Sequence, residues 1–272
     1  MPLEYLVDEK FLERMDRELA GWRDPAGRLR AALDKNEFTL FCQPIAALGP
    51  GLRGDERFPM AEVLVRLREE ERALLPPGEF LPVFEHYGMM PQLDRWVVRH
   101  TVRHLAAGSR IGRFTVNVSG QTLQDAAFPG FVAAELRAAG VAMNAVMFEI
   151  DESDVLARLE AAVRFASAVK AYGGGLLIDG FCRRSVSFGP LQNLRLDYLK
   201  VDGSVIRKLL THVGMQTKLQ AVVRVAEALQ AGVVAECVEE QDVLVRLKAL
   251  GVGYAQGFGV HQPQPIERFA RP

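Results

Sequence analysis

The chain has 272 residues, 49 % apolar and 25 % charged, with a formal net charge of −1. That balance excludes a nucleic-acid surface driven by bulk electrostatics. No run approaches the roughly 18 apolar residues of a membrane span, and the charged start MPLEYLVDEKFLERMDRELAGW holds no apolar signal segment. The expectation is a cytoplasmic protein that engages neither a membrane nor a nucleic-acid polymer. Cys42, Cys182 and Cys237 share no CxxC spacing, which argues against a disulfide framework or a zinc knuckle. Cys182, in a loop, is the one expected to be exposed.

Residues 4–34 read as helical, with Leu6, Phe11, Met15, Leu19 and Trp22 on one stripe and a break at Asp24-Pro25. The polar step Asp34-Lys35-Asn36 ends this stretch, dividing the chain into an N-terminal helical leader (1–36) and a main domain (37–272). Strand-like runs follow at 38–44, 61–66, 114–118, 146–150, 175–178, 198–201, 233–235 and 254–256. Helical periodicity fills gaps at 93–105, 131–139, 155–172 and 218–231. Eight strands with interposed helices in a chain of this length predict an α/β fold, a (β/α)8 TIM-like barrel. A doubly wound sheet would need a Gly-rich phosphate turn after its first strand, and Gly49-Pro50-Gly51 is too proline-interrupted to serve.

Several of these runs end in a charged or amide residue. Glu62 lies in AEVLVR, Asn117 ends FTVN, Glu149 ends VMFE and Asp179 ends GLLID, while Lys200 and Glu236 follow at the same βα pace. In a barrel such residues converge at the C-terminal mouth. Period-2 alternation puts Glu62, Leu64 and Arg66 on one strand face. A carboxylate, an apolar side chain and a forked arginine pointing the same way suit a metal, a flat base and a phosphate. Three carboxylates and an amide oxygen form a hard-oxygen set for Mg²⁺, Mn²⁺ or Ca²⁺ rather than zinc. Individually, each could equally be a helix N-cap after a βα loop. His100 and His104, four apart on a helix, have metal-pair spacing but no carboxylate partner nearby, and packing is their expected role. The acidic run Glu69-Glu70-Glu71-Arg72 reads as a solvated turn.

From about Phe38 to Pro265 the chain resembles the bacterial EAL-domain family, which binds cyclic di-GMP and, in active members, hydrolyses it to linear pGpG. The name motif stands as Glu62-Val63-Leu64. Other matches are Gln43-Pro44-Ile45, Phe80-Leu81-Pro82, Asn117-Val118-Ser119, Glu149-Ile150-Asp151-Glu152, Leu199-Lys200-Val201-Asp202, Ala235-Glu236-Cys237-Val238-Glu239 and Tyr254-Ala255-Gln256-Gly257-Phe258. The resemblance implies that Glu62, Asn117, Glu149 and Asp179 ligate a first metal, Mg or Mn, with Ca holding the site without turnover. It implies that Lys200 polarises the attacking water, that Glu236 supports the metal-water network, and that Gln256 lies beside it. Gln43, Leu64, Arg66, Pro82, Asp94, Glu239 and Phe258 are implied contacts to guanine and phosphate, and Glu152 braces the loop after Asp179. The implied partners are cyclic di-GMP and a signalling protein or a second copy of the chain.

One segment departs from the family. Active members carry two adjacent aspartates, then phenylalanine and a small-residue loop, whereas this chain reads Asp179-Gly180-Phe181-Cys182-Arg183-Arg184. Glycine supplies no side-chain oxygen, so the second metal site is expected to be absent. The expected function is a receptor for cyclic di-GMP with weak or no hydrolysis. The alternatives are an active phosphodiesterase and a nucleotide-independent interaction module.

Overall fold

The computed structural model describes residues 24–68, 74–183 and 189–271. Residues 1–23 of the expected leader, the run Glu69-Glu70-Glu71-Arg72 and Arg184 lie outside the described residues. Helix α1 (Pro25–Asp34) starts where the sequence breaks. Asp24 accepts the Gly27 N–H at 2.8 Å, and Pro25 occupies a first-turn position that needs no amide donor. Leu29 and Ala32 of α1 are buried in the same core as Phe38 and Trp96.

The strands are β1 (Phe38–Ala47), β2 (Met60–Leu67), β3 (Phe114–Asn117), β4 (Val146–Asp151), β5 (Gly175–Phe181), β6 (Tyr198–Val201), β7 (Gly232–Ala235) and β8 (Tyr254–Ala255), with β9 (Gln264–Pro265) added beside β1. Strands β2 to β8 pair in sequence order, all parallel; β8 pairs with β1 and β1 with β2, closing the barrel. Helices α2 (Pro77–His86) and α3 (Met90–Ala107) follow β2, α4 (Phe128–Ala138) follows β3, and α5 (Glu152–Ala157) with α6 (Leu159–Ala171) follow β4. Helices α7 (Gly203–Ile206) and α8 (Val213–Leu229) follow β6, and α9 (Gln241–Ala249) follows β7. No helix among the described residues is long and apolar enough to cross a membrane.

This is the eight-stranded α/β barrel that the pattern of runs predicts, with one strand reversed. β1 is antiparallel to both neighbours, Phe38 standing opposite Leu67 and Ile45 opposite Met60. The β1–β2 connection contains only a short 3₁₀ turn, Gly54–Arg57. A parallel pair needs a crossover long enough for a helix, so this connection can only fold its two strands back on each other.

Alternation along the strands separates two layers. Outward residues such as Val63, Val116, Phe148, Leu176, Ile178 and Leu199 pack against the helices. The Phe148 ring meets Phe128 and Phe165 with centroids 5.9 and 5.5 Å apart. Inward, Ile45, Met60, Leu177 and Val234 form a separate apolar plug flanked by Tyr198 and Tyr254. Two residues further along each parallel strand the interior turns polar: Met60 precedes Glu62, Leu177 precedes Asp179, Tyr198 precedes Lys200, Val234 precedes Glu236 and Tyr254 precedes Gln256. On reversed β1 the order inverts, and Gln43 precedes Ile45. The plug is the dry floor of the site above it.

Candidate functional site

Lys200 stands at the centre of that polar layer with its side chain only 2 % exposed. Its Nζ lies 2.8 Å from Glu62 Oε2, 2.8 Å from Glu149 Oε2, 3.2 Å from Glu236 Oε1 and 3.5 Å from Asp179 Oδ1. Burial alone would lower the lysine's pKa. The charges of Glu149 and Glu62, then of Asp179 and Glu236, drive it well above its ordinary value. The side chain is therefore a fixed cation.

The carboxylates around it are not equivalent. Burial pulls Glu62 upward, but the Lys200 charge and hydrogen bonds from Lys200, Asn117 and Gln256 outweigh it, so Glu62 is held below the ordinary carboxylate range. Asn117 Nδ2 donates to Glu62 Oε1 at 2.9 Å, and Gln256 Nε2 donates to Glu62 Oε2 at 2.8 Å and to Gln43 Oε1 at 3.1 Å. Gln43 Nε2 in turn donates to the His261 carbonyl at 2.9 Å. Glu149 accepts from Lys200 and from Thr115 Oγ1. Burial, with Glu62 and Asp179 repelling it against the pull of Lys200, lifts Glu149 to about 8. Glu236 is also lifted to about 8, by burial first, then by Asp179 against the opposing Lys200 charge. One ammonium cannot neutralise four carboxylates, so Glu149 and Glu236 take up protons more readily than ordinary carboxylates.

Glu62, Asn117, Glu149, Asp179, Lys200, Glu236, Gln256 and Gln43 are thus one connected cluster. Among the described residues no three His, Cys, Asp or Glu side chains are arranged ready for a metal ion; the acidic oxygens converge instead on the ammonium. The donor chemistry still suits a hard cation. Gln256 Oε1 is buried without a hydrogen bond among the described residues, Asp179 Oδ1 has only the long 3.5 Å contact with the Lys200 ammonium, and further carboxylate oxygens lie within reach.

The implied ligand contacts sit around this cluster in different ways. Leu64 and Arg66 are half-buried on β2, with Arg66 Cζ 5.7 Å from the Phe41 ring centroid. Glu239 and Phe258 are exposed, Phe258 at 65 %. Their loops are stitched together by Val238 N–H to the Gln256 carbonyl and Gly259 N–H to the Val238 carbonyl, both at 2.9 Å. Pro82 is half-buried inside α2. Asp94 is not joined to the Lys200 cluster. It is buried in α3 and accepts Ser119 N–H at 3.1 Å, Ser119 Oγ at 2.9 Å and Thr122 Oγ1 at 2.6 Å, pinning the loop after Asn117. Burial, against those hydrogen bonds, raises its carboxyl to about 6.

Glu152 Oε2 accepts the Cys182 N–H at 3.2 Å, a brace on the loop after Asp179. Cys182 itself is fully buried, contrary to the expectation of exposure, and burial lifts its thiol to about 11. The turn at Cys182 (φ +70°) folds the side chain inward. His100 stacks on Trp96 with centroids 3.7 Å apart, and His104 meets Phe114 edge-on, so both are packing residues.

Sequence reasoning passed over two parts of the site. Thr115 lies two residues before Asn117 on the inward face, a spacing that could have flagged it. Arg183 could not be placed from its position in a loop. Its Nε donates to Asp202 Oδ2 at 2.8 Å and its Nη1 lies 3.5 Å from Asp151 Oδ2. Gly180 has φ +62°, and a Cβ built there would meet Arg183 Nη2 at 2.5 Å.

Comparison with known proteins agrees with the barrel fold. The cyclic di-GMP phosphodiesterase PdeF of Escherichia coli K12 is 31 % identical over 255 residues, covering 93 % of this chain and 33 % of that protein. The cyclic di-GMP phosphodiesterase PdeB of Shewanella oneidensis is 27 % identical over 271 residues, covering 97 % of this chain and 31 % of that protein. The chain thus spans about a third of the length of these relatives. Among solved structures, the EAL domain of FimX from Pseudomonas aeruginosa bound to c-di-GMP superposes with a TM-score of 0.80 at 28 % identity, covering 89 % of this chain and 96 % of that one. The PaMucR phosphodiesterase in complex with c-di-GMP gives 0.81 at 26 % identity, covering 90 % and 98 %. Residues 26–263 match the family model for the EAL domain, and the chain belongs to the EAL-domain family.

Proposed function

We propose that this domain is a receptor for cyclic di-GMP that hydrolyses it weakly or not at all. The observation that carries the reading is Gly180: the position after Asp179 offers no carboxylate, and its left-handed backbone (φ +62°) is one that L side chains adopt only with strain. The binding elements around it are present. Arg66 offers a forked donor to a phosphate, Leu64 an apolar face to a base, and exposed Phe258 a ring on which a base can stack.

Glu62, Asn117, Glu149 and Asp179 would hold a single Mg²⁺ or Mn²⁺, which would supply Lewis-acid charge at a phosphodiester oxygen. Lys200 keeps a positive charge where negative charge develops during displacement at phosphorus. Glu236, its carboxyl raised by burial and by Asp179 against the Lys200 charge, sits 3.2 Å from the Lys200 ammonium and helps hold it in place. Asp94 fixes the loop that carries Asn117, and Gln43 and Gln256 hold Glu62 in place. Without a second cation, transition-state stabilisation falls by several kcal/mol, about 10²-fold or more in rate. Ground-state binding depends on the base and phosphate contacts and is largely kept.

The test is to incubate the protein with cyclic di-GMP and Mg²⁺ or Mn²⁺ and to measure binding and pGpG in the same sample. Binding without product is the expected result. Ready production of pGpG would identify a phosphodiesterase, the activity named for PdeF and PdeB, and neither binding nor product would leave an interaction module. Gly180→Asp, which must also push Arg183 from its seat, is expected to raise hydrolysis. No gain would place the defect in the loop rather than in the missing carboxylate.

A further inference from the structure

We propose that Arg183 is this domain's own second cation, its guanidinium binding a phosphate oxygen of the dinucleotide where a carboxylate at position 180 would otherwise help hold a metal ion. The proposal rests on the binding reading above and deepens it.

Glycine and arginine here form a pair. A Cβ at position 180 would lie 2.5 Å from Arg183 Nη2 and 3.1 Å from its Cζ, so a side chain at 180 and the guanidinium in its seat exclude each other. The seat is built in advance. Asp202 Oδ2 holds Nε at 2.8 Å while Asp202 Oδ1 accepts the Ser204 N–H at 2.8 Å; Asp151 Oδ2 faces Nη1 while Asp151 Oδ1 accepts the Ser153 N–H at 2.8 Å. Both carboxylates are therefore fixed by helix caps of their own and cannot follow the guanidinium elsewhere.

The open edge points to an anion. Nη2 has no hydrogen-bond acceptor among the described residues, and the side chain is 53 % exposed. A guanidinium matches phosphate oxygens in both geometry and charge. Charge balance makes the residue necessary rather than incidental. Strand register sets Asp151 beside Asp179, and Asp202 follows at the end of β6. Without Arg183 this sector of the mouth would present three carboxylates to a dianionic ligand. Divalent ions could neutralise such a rim; Arg183 offsets part of its charge permanently and without metal, at Asp151 and Asp202.

The experiment is calorimetric titration of the full chain with cyclic di-GMP in EDTA and again in Mn²⁺, for wild type, Arg183→Ala and Arg183→Lys, with thermal unfolding as the control for folding. Wild type is expected to bind in EDTA. Arg183→Ala should weaken that binding about tenfold or more, the loss of one charge-assisted hydrogen bond, with an unchanged unfolding curve. Arg183→Lys should recover part of the loss. If Arg183→Ala binds in EDTA as wild type does, or if wild type binds only with Mn²⁺, the role of Arg183 is overturned while the receptor reading stands. Absence of binding by wild type under both conditions overturns the receptor reading and this one with it.

Discussion

The inner side of the barrel mouth, its buried polar layer, and the outer side, the rim above it, are built on opposite principles. Around Lys200, ionised and polar groups are buried, mutually bonded and closed off from below by an apolar plug. Across β4, β5 and β6, Arg183 makes its ion pairs in the open, with half its side chain in solvent. A buried charge network tolerates no unilateral change, because each deletion strands a partner in a low-dielectric interior. An exposed rim residue such as Arg183 can be exchanged at little cost to folding, because solvent screens its ion pairs.

The strongest way to break this contrast is Lys200→Met. It leaves Glu62 and Glu149 without their cation and should cost about 3–5 kcal/mol in chemical denaturation; a loss below 1 kcal/mol would mean the cluster is not an obligate unit. Gln256→Leu should cost about 1–3 kcal/mol by the same measurement, since Glu62 Oε2 and Gln43 Oε1 each lose a donor.

Titration sharpens the same side. Glu149 and Glu236 bind their protons more tightly in the folded state than the ordinary 4.5, with values of about 8. The stability they contribute is complete below about pH 4.5 and is lost as pH rises through 8; depressed Glu62 acts in the opposite sense, its contribution being lost only as pH falls. Between those limits the metal-free protein should lose stability as pH increases. Urea midpoints at pH 5.5 and 8.5 measure it, and Glu149→Gln should flatten the slope. The smallest effect belongs to the open side: Arg183→Ala should change stability by no more than about 0.5 kcal/mol, its ion pairs being screened by solvent.

Much of the closed side could be read from the chain, because inward strand residues obey a period of two and several end an apolar run. Glu62 and Lys200 stand out as charges inside their runs, while Asn117, Glu149 and Asp179 follow from that rule. Strand direction does not, since alternation is the same read either way; only the short β1–β2 connection encodes the reversal of β1. Asp94 shows a second limit. A carboxylate in the middle of a helix can turn to a ligand or to a neighbouring loop, and nothing in its spacing says that Ser119 and Thr122 will claim it. The open side was legible only as a missing carboxylate at Gly180. The placing of the Arg183 guanidinium beside Gly180 depends on a loop geometry for which no periodicity exists.

The reversed strand also decides where the barrel is wired to the residues that precede it. An all-parallel barrel takes in its first strand at the floor. Here Phe38 begins β1 beside Leu67, at the lip of the mouth, and α1 is delivered there with it. Trp96 Nε1 donates to Asn36 Oδ1 at 3.1 Å, fastening that point of entry to α3, the helix whose Asp94 grips the loop after Asn117. A pull or twist arriving along α1 is therefore applied at the rim, one helix away from the polar layer, and not at the inert base of the barrel.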